Sequence, residues 1–253
     1  GVPNTAKPVW GSGYNHTCWV ANGQLECIGD NGYGPIEIPQ DFPTPDKIAG
    51  GHGFTCGLAD EVLRCFGQNS QWLPSPLTGV SDFDTSNDSM CAVIDSGVRC
   101  WSPDDADVPI GLLGLTNVRQ ISIARDTACV IDDIGVQCWG DAMPASPYNF
   151  VNPVDVVVSH GVACVKDDSG WQCWSNEEYD DISFMRHDAI VAASDSRMCG
   201  LQEDWLYCWG DGGYGATQFD GFTVGSEHIC VLHDGQLRCE GISEQRPFEV
   251  VTD

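Results

Sequence analysis

Positive charge is scarce in this chain: 11 Lys and Arg stand against 37 Asp and Glu over 253 residues, a net charge of −26. A chain of that sign repels phosphate backbones and anionic headgroups, so neither nucleic acid nor a membrane surface is expected as a partner. No apolar run approaches the roughly 18 residues of a membrane-spanning helix, and no segment of useful length has helical periodicity. Short Cys-x(2–4)-Cys knuckles of the zinc-binding kind are missing, as are a nucleophile elbow, a phosphate loop and a Ser-His-Asp order. No cofactor is expected except calcium, for which Asp104-Asp105-Ala106-Asp107 and Glu177-Glu178-Tyr179-Asp180-Asp181 supply carboxylates without EF-hand spacing.

Cysteine, by contrast, is abundant and regular. The 14 cysteines fall into seven pairs, each with eight residues between its members: Cys18 with Cys27, Cys56 with Cys65, Cys91 with Cys100, Cys129 with Cys138, Cys164 with Cys173, Cys199 with Cys208 and Cys230 with Cys239. The first cysteines advance by 38, 35, 38, 35, 35 and 31 residues, the period of a repeat array. Turn signals sit midway, as in Asn22-Gly23, Asp234-Gly235, Asp95-Ser96-Gly97, Asp133-Ile134-Gly135 and Asp168-Ser169-Gly170, so each unit reads as a β-hairpin with its cysteines opposed. A non-hydrogen-bonded antiparallel pair separates Cα atoms by about 4.5 Å, within disulfide reach. Seven such bridges persist only under oxidising conditions, which predicts a secreted or extracellular protein, at the cell surface or in a periplasm. The start Gly1-Val2-Pro3-Asn4 lacks a signal-peptide pattern and is expected to belong to a mature form or an excised ectodomain.

An apolar strand precedes each first cysteine by about six to nine residues: Val9-Trp10, Ile48-Ala49, Phe83, Ile121-Ser122-Ile123, Val156-Val157-Val158, Val191-Ala192-Ala193 and Phe222-Thr223-Val224. With the hairpin these make three strands per unit, and Ile36-Glu37-Ile38 and Phe248-Glu249-Val250 are expected as fourth, outer strands. Short strands in a seven-fold register predict an all-β, seven-bladed β-propeller with one disulfide per blade, residues 1–253 forming one domain. A parallel β-helix is the competing repeat fold, but its coils lack an internal hairpin.

The motifs His16-Thr17-Cys18, Cys27-Ile28-Gly29-Asp30, Cys138-Trp139-Gly140-Asp141 and Cys208-Trp209-Gly210-Asp211 resemble the repeats of the regulator of chromosome condensation family over essentially the whole chain. The resemblance implies a seven-bladed propeller. The bridges and acidity set this chain apart from nuclear members and liken it to disulfide-bearing relatives, such as crinkly-type receptor ectodomains and bacterial surface proteins. On that basis Trp101, Trp139, Trp174 and Trp209 are expected as core wedges, and His16 and His228 as occupants of a repeat position with an ordinary structural hydrogen bond.

Loops two to five residues before each first cysteine share one face with the loops after the second, the hairpin turns lying opposite. That face is predicted to bind, through Tyr14, His16, Tyr33, His52, Trp72, Arg125, His160, Asp195, Arg197, Tyr214, Glu227 and His228. Asn87, Asp88, Asp126 and Tyr179 fall on it too, and Asn15 and Asn87 open glycosylation sequons. The expected function is an extracellular, non-enzymatic binding or structural module for a protein or glycan partner. Two rivals are a carbohydrate-active enzyme or lectin with axial carboxylates, and a subunit of an extracellular assembly.

Overall fold

The structure is a computed structural model that describes residues 9–103, 114–125, 127–140, 143, 146, 149–175, 190–195, 197–202, 205–208, 212–215, 221–233 and 236–241. Seven antiparallel sheets follow one another along the chain. Their inner strands are Trp10–Ser12, Lys47–Gly50, Val80–Thr85, Gln120–Ala124, Asp155–Ser159, Ile190–Ala193 and Gly221–Val224, the places where the sequence predicts them. Each is followed by a two-stranded hairpin, and the sheets adjoin in a ring in which the inner strands of the seventh and first touch. The fold is a seven-bladed β-propeller. Among the described residues the one helical element is a 3₁₀ turn, Gln68–Ser70.

Every cysteine pair lies in direct cross-strand register. The bridges join Cys18 to Cys27, Cys56 to Cys65, Cys91 to Cys100, Cys129 to Cys138, Cys164 to Cys173, Cys199 to Cys208 and Cys230 to Cys239, with Cα separations of 4.0–4.1 Å. These are the close, non-hydrogen-bonded pairs of an antiparallel ladder. The two ends of a bridge differ in depth, which equal spacing does not foretell. The first cysteine of each pair is fully buried, whereas Cys27, Cys65, Cys100, Cys138 and Cys239 are only half-buried, because the third strand lies farther from the axis; Cys173 and Cys208 alone among the second cysteines are buried.

Positive φ at both Asn22 and Gly23, as at Asp60 and Glu61, matches the primed turns that continue strand twist. Three turns differ from expectation, one of them because Gly170 pairs with Asp167 and leaves Asp168-Ser169 alone as the turn. Gly97 pairs with Ile94, so that hairpin closes on Asp95-Ser96 alone; the next is a four-residue loop in which the Asp132 carboxylate accepts from the Ile134 and Gly135 amides.

Alternation along the inner strands sends Ile48, Phe83, Ile121, Val156 and Phe222 into the spaces between blades, where all are buried. The core is accordingly a series of inter-blade clusters, such as Phe54, Leu63, Phe83 and Met90 between the second and third blades. Trp174 is buried, whereas Trp101 and Trp139 are half-buried against neighbouring clusters; Trp209 lies outside the described residues. Fourth strands occur at Leu77–Thr78 and Gly212–Gly215. Ile36–Ile38 is not one, a correction with a clear cause: Pro35 and Pro39 cannot donate to a ladder, and the Glu37 amide is drawn back to the Gly34 carbonyl. Phe248–Val250 lies outside the described residues.

Because each bridge closes a short loop, replacing Cys164 and Cys173 together by alanine is expected to lower stability by about 2–3 kcal/mol. The urea midpoint measures this; an unchanged midpoint would show that the ladder alone holds the register.

Candidate functional site

The loops joining inner to second strands meet in a ring of backbone hydrogen bonds on one face. The Tyr14 amide donates to the Gly51 carbonyl, His52 to Asn87, His160 to Asp195 and Glu227 to Tyr14, at 2.7–3.3 Å. Across the axis, the Asn87 amide donates to Asp195 Oδ2 at 2.7 Å, and Ser226 Oγ donates to Asn87 Oδ1 at 3.3 Å. Third, sixth and seventh blades are thereby tied together over the mouth of the channel.

Within this ring the predicted residues separate by role. His16 is buried at 1% exposure with Nε2 2.8 Å from Thr55 Oγ1. Since that hydroxyl donates to the Pro35 carbonyl, it accepts from His16, which places the ring proton on Nε2. His228 reaches Thr17 Oγ1 at 2.6 Å in the same way, so both histidines clasp the next blade. Burial, helped by the neighbouring His228, lowers the His16 pKa to about 4 against the weaker pull of Asp30. Neither His16 nor Asp195, at 8% exposure, offers a docking surface. That corrects their place among contact residues: His16 opens its strand with its ring turned to Thr55, and Asp195 is held by the Asn87 amide.

Tyr14, Tyr33 and His52 do come together. Tyr14 lies 5.1 Å from the His52 ring, and Tyr33 meets its other side edge-on at 5.2 Å, with Tyr33 45% exposed. Gly53 makes this possible, because a Cβ there would stand 2.7 Å from that of Tyr33. The Tyr14 hydroxyl donates to Glu227, whose carboxylate raises the tyrosine's pKa. Beside the cluster an open groove of about 480 Å³ runs past His52, Asn69, Gln71, Trp72 and Asp88. Trp72 is half-buried, edge-on to Phe54 at 5.5 Å, and so belongs to the groove wall and the core alike.

Arg125, His160 and Glu227 are exposed on the same face and Arg197 is half-buried. For Tyr214 the structure describes the strand and not the side chain, while Asp126, Tyr179 and both candidate calcium runs lie outside the described residues. Among the described residues no group of three or more potential ligands is placed to hold a metal. Of the sequon asparagines, Asn15 offers its amide nitrogen to exposed Asp30, whereas the Asn87 side chain faces the axis toward Ser226.

Sequence reasoning missed a second constellation, at the other end of the axis. Lys47, Asp82, Gln120 and Asp155 occupy one repeat position, nine residues before their cysteines. Four polar residues at one offset of an otherwise apolar strand are the signal that finds it. Lys47 Nζ pairs with Asp82 Oδ1 at 2.6 Å and Gln120 donates to Asp155 at 2.6 Å. Burial would lower the Lys47 pKa, but Asp82, Asp84 and Asp155 outweigh it and the net shift is upward. Asp82 and Asp84 also accept from the Ile121 and Ile123 amides, strapping the third blade to the fourth.

No family model and no curated protein sequence matches the chain. Solved structures do. The CRINKLY ectodomain of the Arabidopsis thaliana receptor kinase ACR4 superposes with a TM-score of 0.72 at 19% identity, covering 93% of this chain and 96% of that one. The ectodomain of the Physcomitrella patens receptor kinase CR4 gives 0.69 at 18%, covering 92% and 72%. Yeast RCC1 (Prp20), solved bound to Kap60, gives 0.62 at 11%, covering 93% and 80%. At these identities the likeness is one of fold, and at that level the resemblance read from the repeats holds: a propeller of the chromosome-condensation-regulator type with a disulfide in every blade.

Burial raises the Asp195 pKa to about 7, with Asp84 and Asp88 adding to the rise and the Asn87 and Arg125 amides opposing it. Between about pH 4 and 7 the folded chain holds a proton there that the unfolded chain releases, so this group's contribution to stability is lost as pH rises. His16 acts oppositely, its contribution being lost as pH falls from about 6.5 toward 4. Asp195→Asn removes the first effect alone. Urea unfolding at pH 5 and pH 8 is therefore expected to show the variant gaining on the wild type at pH 8, by up to a few kcal/mol. Parallel pH profiles would contradict this assignment.

Proposed function

We propose that residues 1–253 form one secreted, non-enzymatic binding module, which recognises a protein partner through the face carrying Tyr14, Tyr33 and His52. The observation that carries this reading is the aromatic cluster: three rings already fixed against one another, one of them exposed, beside a groove edged by Asn69, Gln71 and Asp88. Preordered rings offer contact area with little side-chain entropy left to lose, and the amides and carboxylate around them supply directional bonds. Seven disulfides support an oxidising, extracellular location. The fold neighbours include receptor ectodomains, and yeast RCC1 was solved bound to another protein, so a propeller that docks proteins has precedent.

The carbohydrate-enzyme reading is less favoured because Asp82 and Asp84, two of the axial carboxylates, are committed to blade straps and so are not free to form the pair that glycoside hydrolysis uses. Binding of the partner that co-purifies with the native, oxidised protein is expected to fall at least tenfold in Tyr33→Ala/His52→Ala, equivalent to about 1.4 kcal/mol. The thermal midpoint should barely move, since neither residue belongs to a buried cluster. Undiminished affinity in that variant, with binding lost instead on altering the opposite face at Asn22 and Ile134, would reverse the assignment of the working face.

A further inference from the structure

The axis is hollow and asymmetric. On the hairpin-turn side it opens as a funnel of about 720 Å³, and deeper in lies a chamber of about 260 Å³. Trp10, Lys47, Ile48, Gln120 and Asp155 line both, so the two spaces adjoin. Beyond the chamber stands the cross-axis tie of Asn87 to Asp195.

Anionic groups dominate this passage. Asp46, Asp82, Asp84, Asp155 and Asp195 line it, against Lys47 and Arg119. Both bases are already engaged: Lys47 holds Asp82, and Arg119 donates to the Asp132 carbonyl. At the blind end, Asp195 Oδ1 is buried without a hydrogen-bond partner, as is Ser194 Oγ on the same wall. Buried polar atoms are ordinarily satisfied, so an orphan carboxylate oxygen beside an orphan hydroxyl, on residues that line one polar chamber, marks a place for a donor. The walls between the charges, Val157, Val191 and Ala193 among them, are apolar in part.

We propose that the axial passage binds a linear alkylammonium chain entering from the hairpin-turn face, its terminal ammonium donating to Asp195 Oδ1 and its methylenes lying along the apolar walls. An ammonium has donors only, which suits acceptor-only carboxylates. The raised pKa of Asp195 agrees, since burial is its first cause and Asp84 and Asp88 add to it. The same chemistry has two sources, a free polyamine or a lysine side chain of a docked protein, and the test separates them. This inference is independent of the face assigned above.

Isothermal titration of the oxidised protein at low ionic strength, at pH 8, would use spermidine, butylamine and an N-acetyl-lysine amide as probes. A saturable single site for spermidine, at least tenfold tighter than for butylamine and weakened at least tenfold in Asp195→Asn, is expected for the free polyamine. Saturation by the lysine amide, lost in the same variant while spermidine only adsorbs, would assign the site to a partner's lysine. Asp195→Asn keeps an oxygen for the Asn87 amide, and circular dichroism would verify its fold. A second variant, Asp155→Asn, guards against a local defect and should also weaken binding. Non-saturating heats with every probe, or affinities unchanged in both variants, would overturn the proposal, since adsorption to an acidic surface ignores the axis.

Discussion

The interaction on which the rest of the molecule depends is the direct opposition of two cysteines in each hairpin. A strand's side chains alternate with period two, so a slip of one residue would turn every buried group outward. The bridge forbids that slip. It also faces the next blade: the sulfur of Cys56 touches Met90 and that of Cys164 touches Met198, each residue sitting just before its own bridging cysteine. Register within a blade and contact between blades are thus set at one point, and the alternation of the inner strand, with Phe83 or Ile121 inward and Asp84 or Ser122 on the other side, follows from it.

A ring adds a constraint that no single blade can meet, because the last must join the first. Here the described strands of the first and seventh sheets belong wholly to their own blades, and among the described residues the seam is crossed by side chains and loop amides. His228 grips Thr17, the Ser226 and Glu227 amides reach the Gly13 and Tyr14 carbonyls, and Trp10 lies over Gly221, where a Cβ would come within 2.3 Å of the indole. The Thr17 hydroxyl lies 2.7 Å from Ser12, which is 3.1 Å from Thr223, so the clasp extends into a hydroxyl chain across the seam. His16 and His228, expected to make ordinary structural hydrogen bonds, are fastenings between blades, His228 at the seam itself.

Much of this was legible because it repeats. Cysteine spacing, turn residues and apolar strands recur seven times, and one strong period constrains the fold more than any single motif. What was not legible depends on which neighbour a repeat position meets. His16 and His228 could be read as structural from their shared offset, but not which threonine each would bind. Tyr14, Tyr33 and His52 were picked out one by one from two blades; that Gly53, at positive φ and without a Cβ, lets Tyr33 approach is something no spacing encodes. The Ile36–Ile38 strand failed because two flanking prolines were outweighed by an apolar alternation. The axial group went unnoticed because single acidic residues carry little information in a chain so rich in them.

The acidic residues themselves sort by what their oxygens do. Asp132 and Asp167 cap turns: in Asp167, hydrogen bonds from Ser169, Val151 and Gln172 overcome burial and hold the pKa below its usual value. Asp82 and Asp84 strap blades together through amides of the fourth blade, and burial nevertheless leaves the Asp84 pKa raised even with Lys47 opposing it. Asp195 differs from these in having one oxygen committed to the Asn87 amide and the other buried without a hydrogen-bond partner. Net charge therefore says little about function here, since many of the carboxylates serve the fold. The informative carboxylate is the one whose local environment accounts for only half of its bonding capacity.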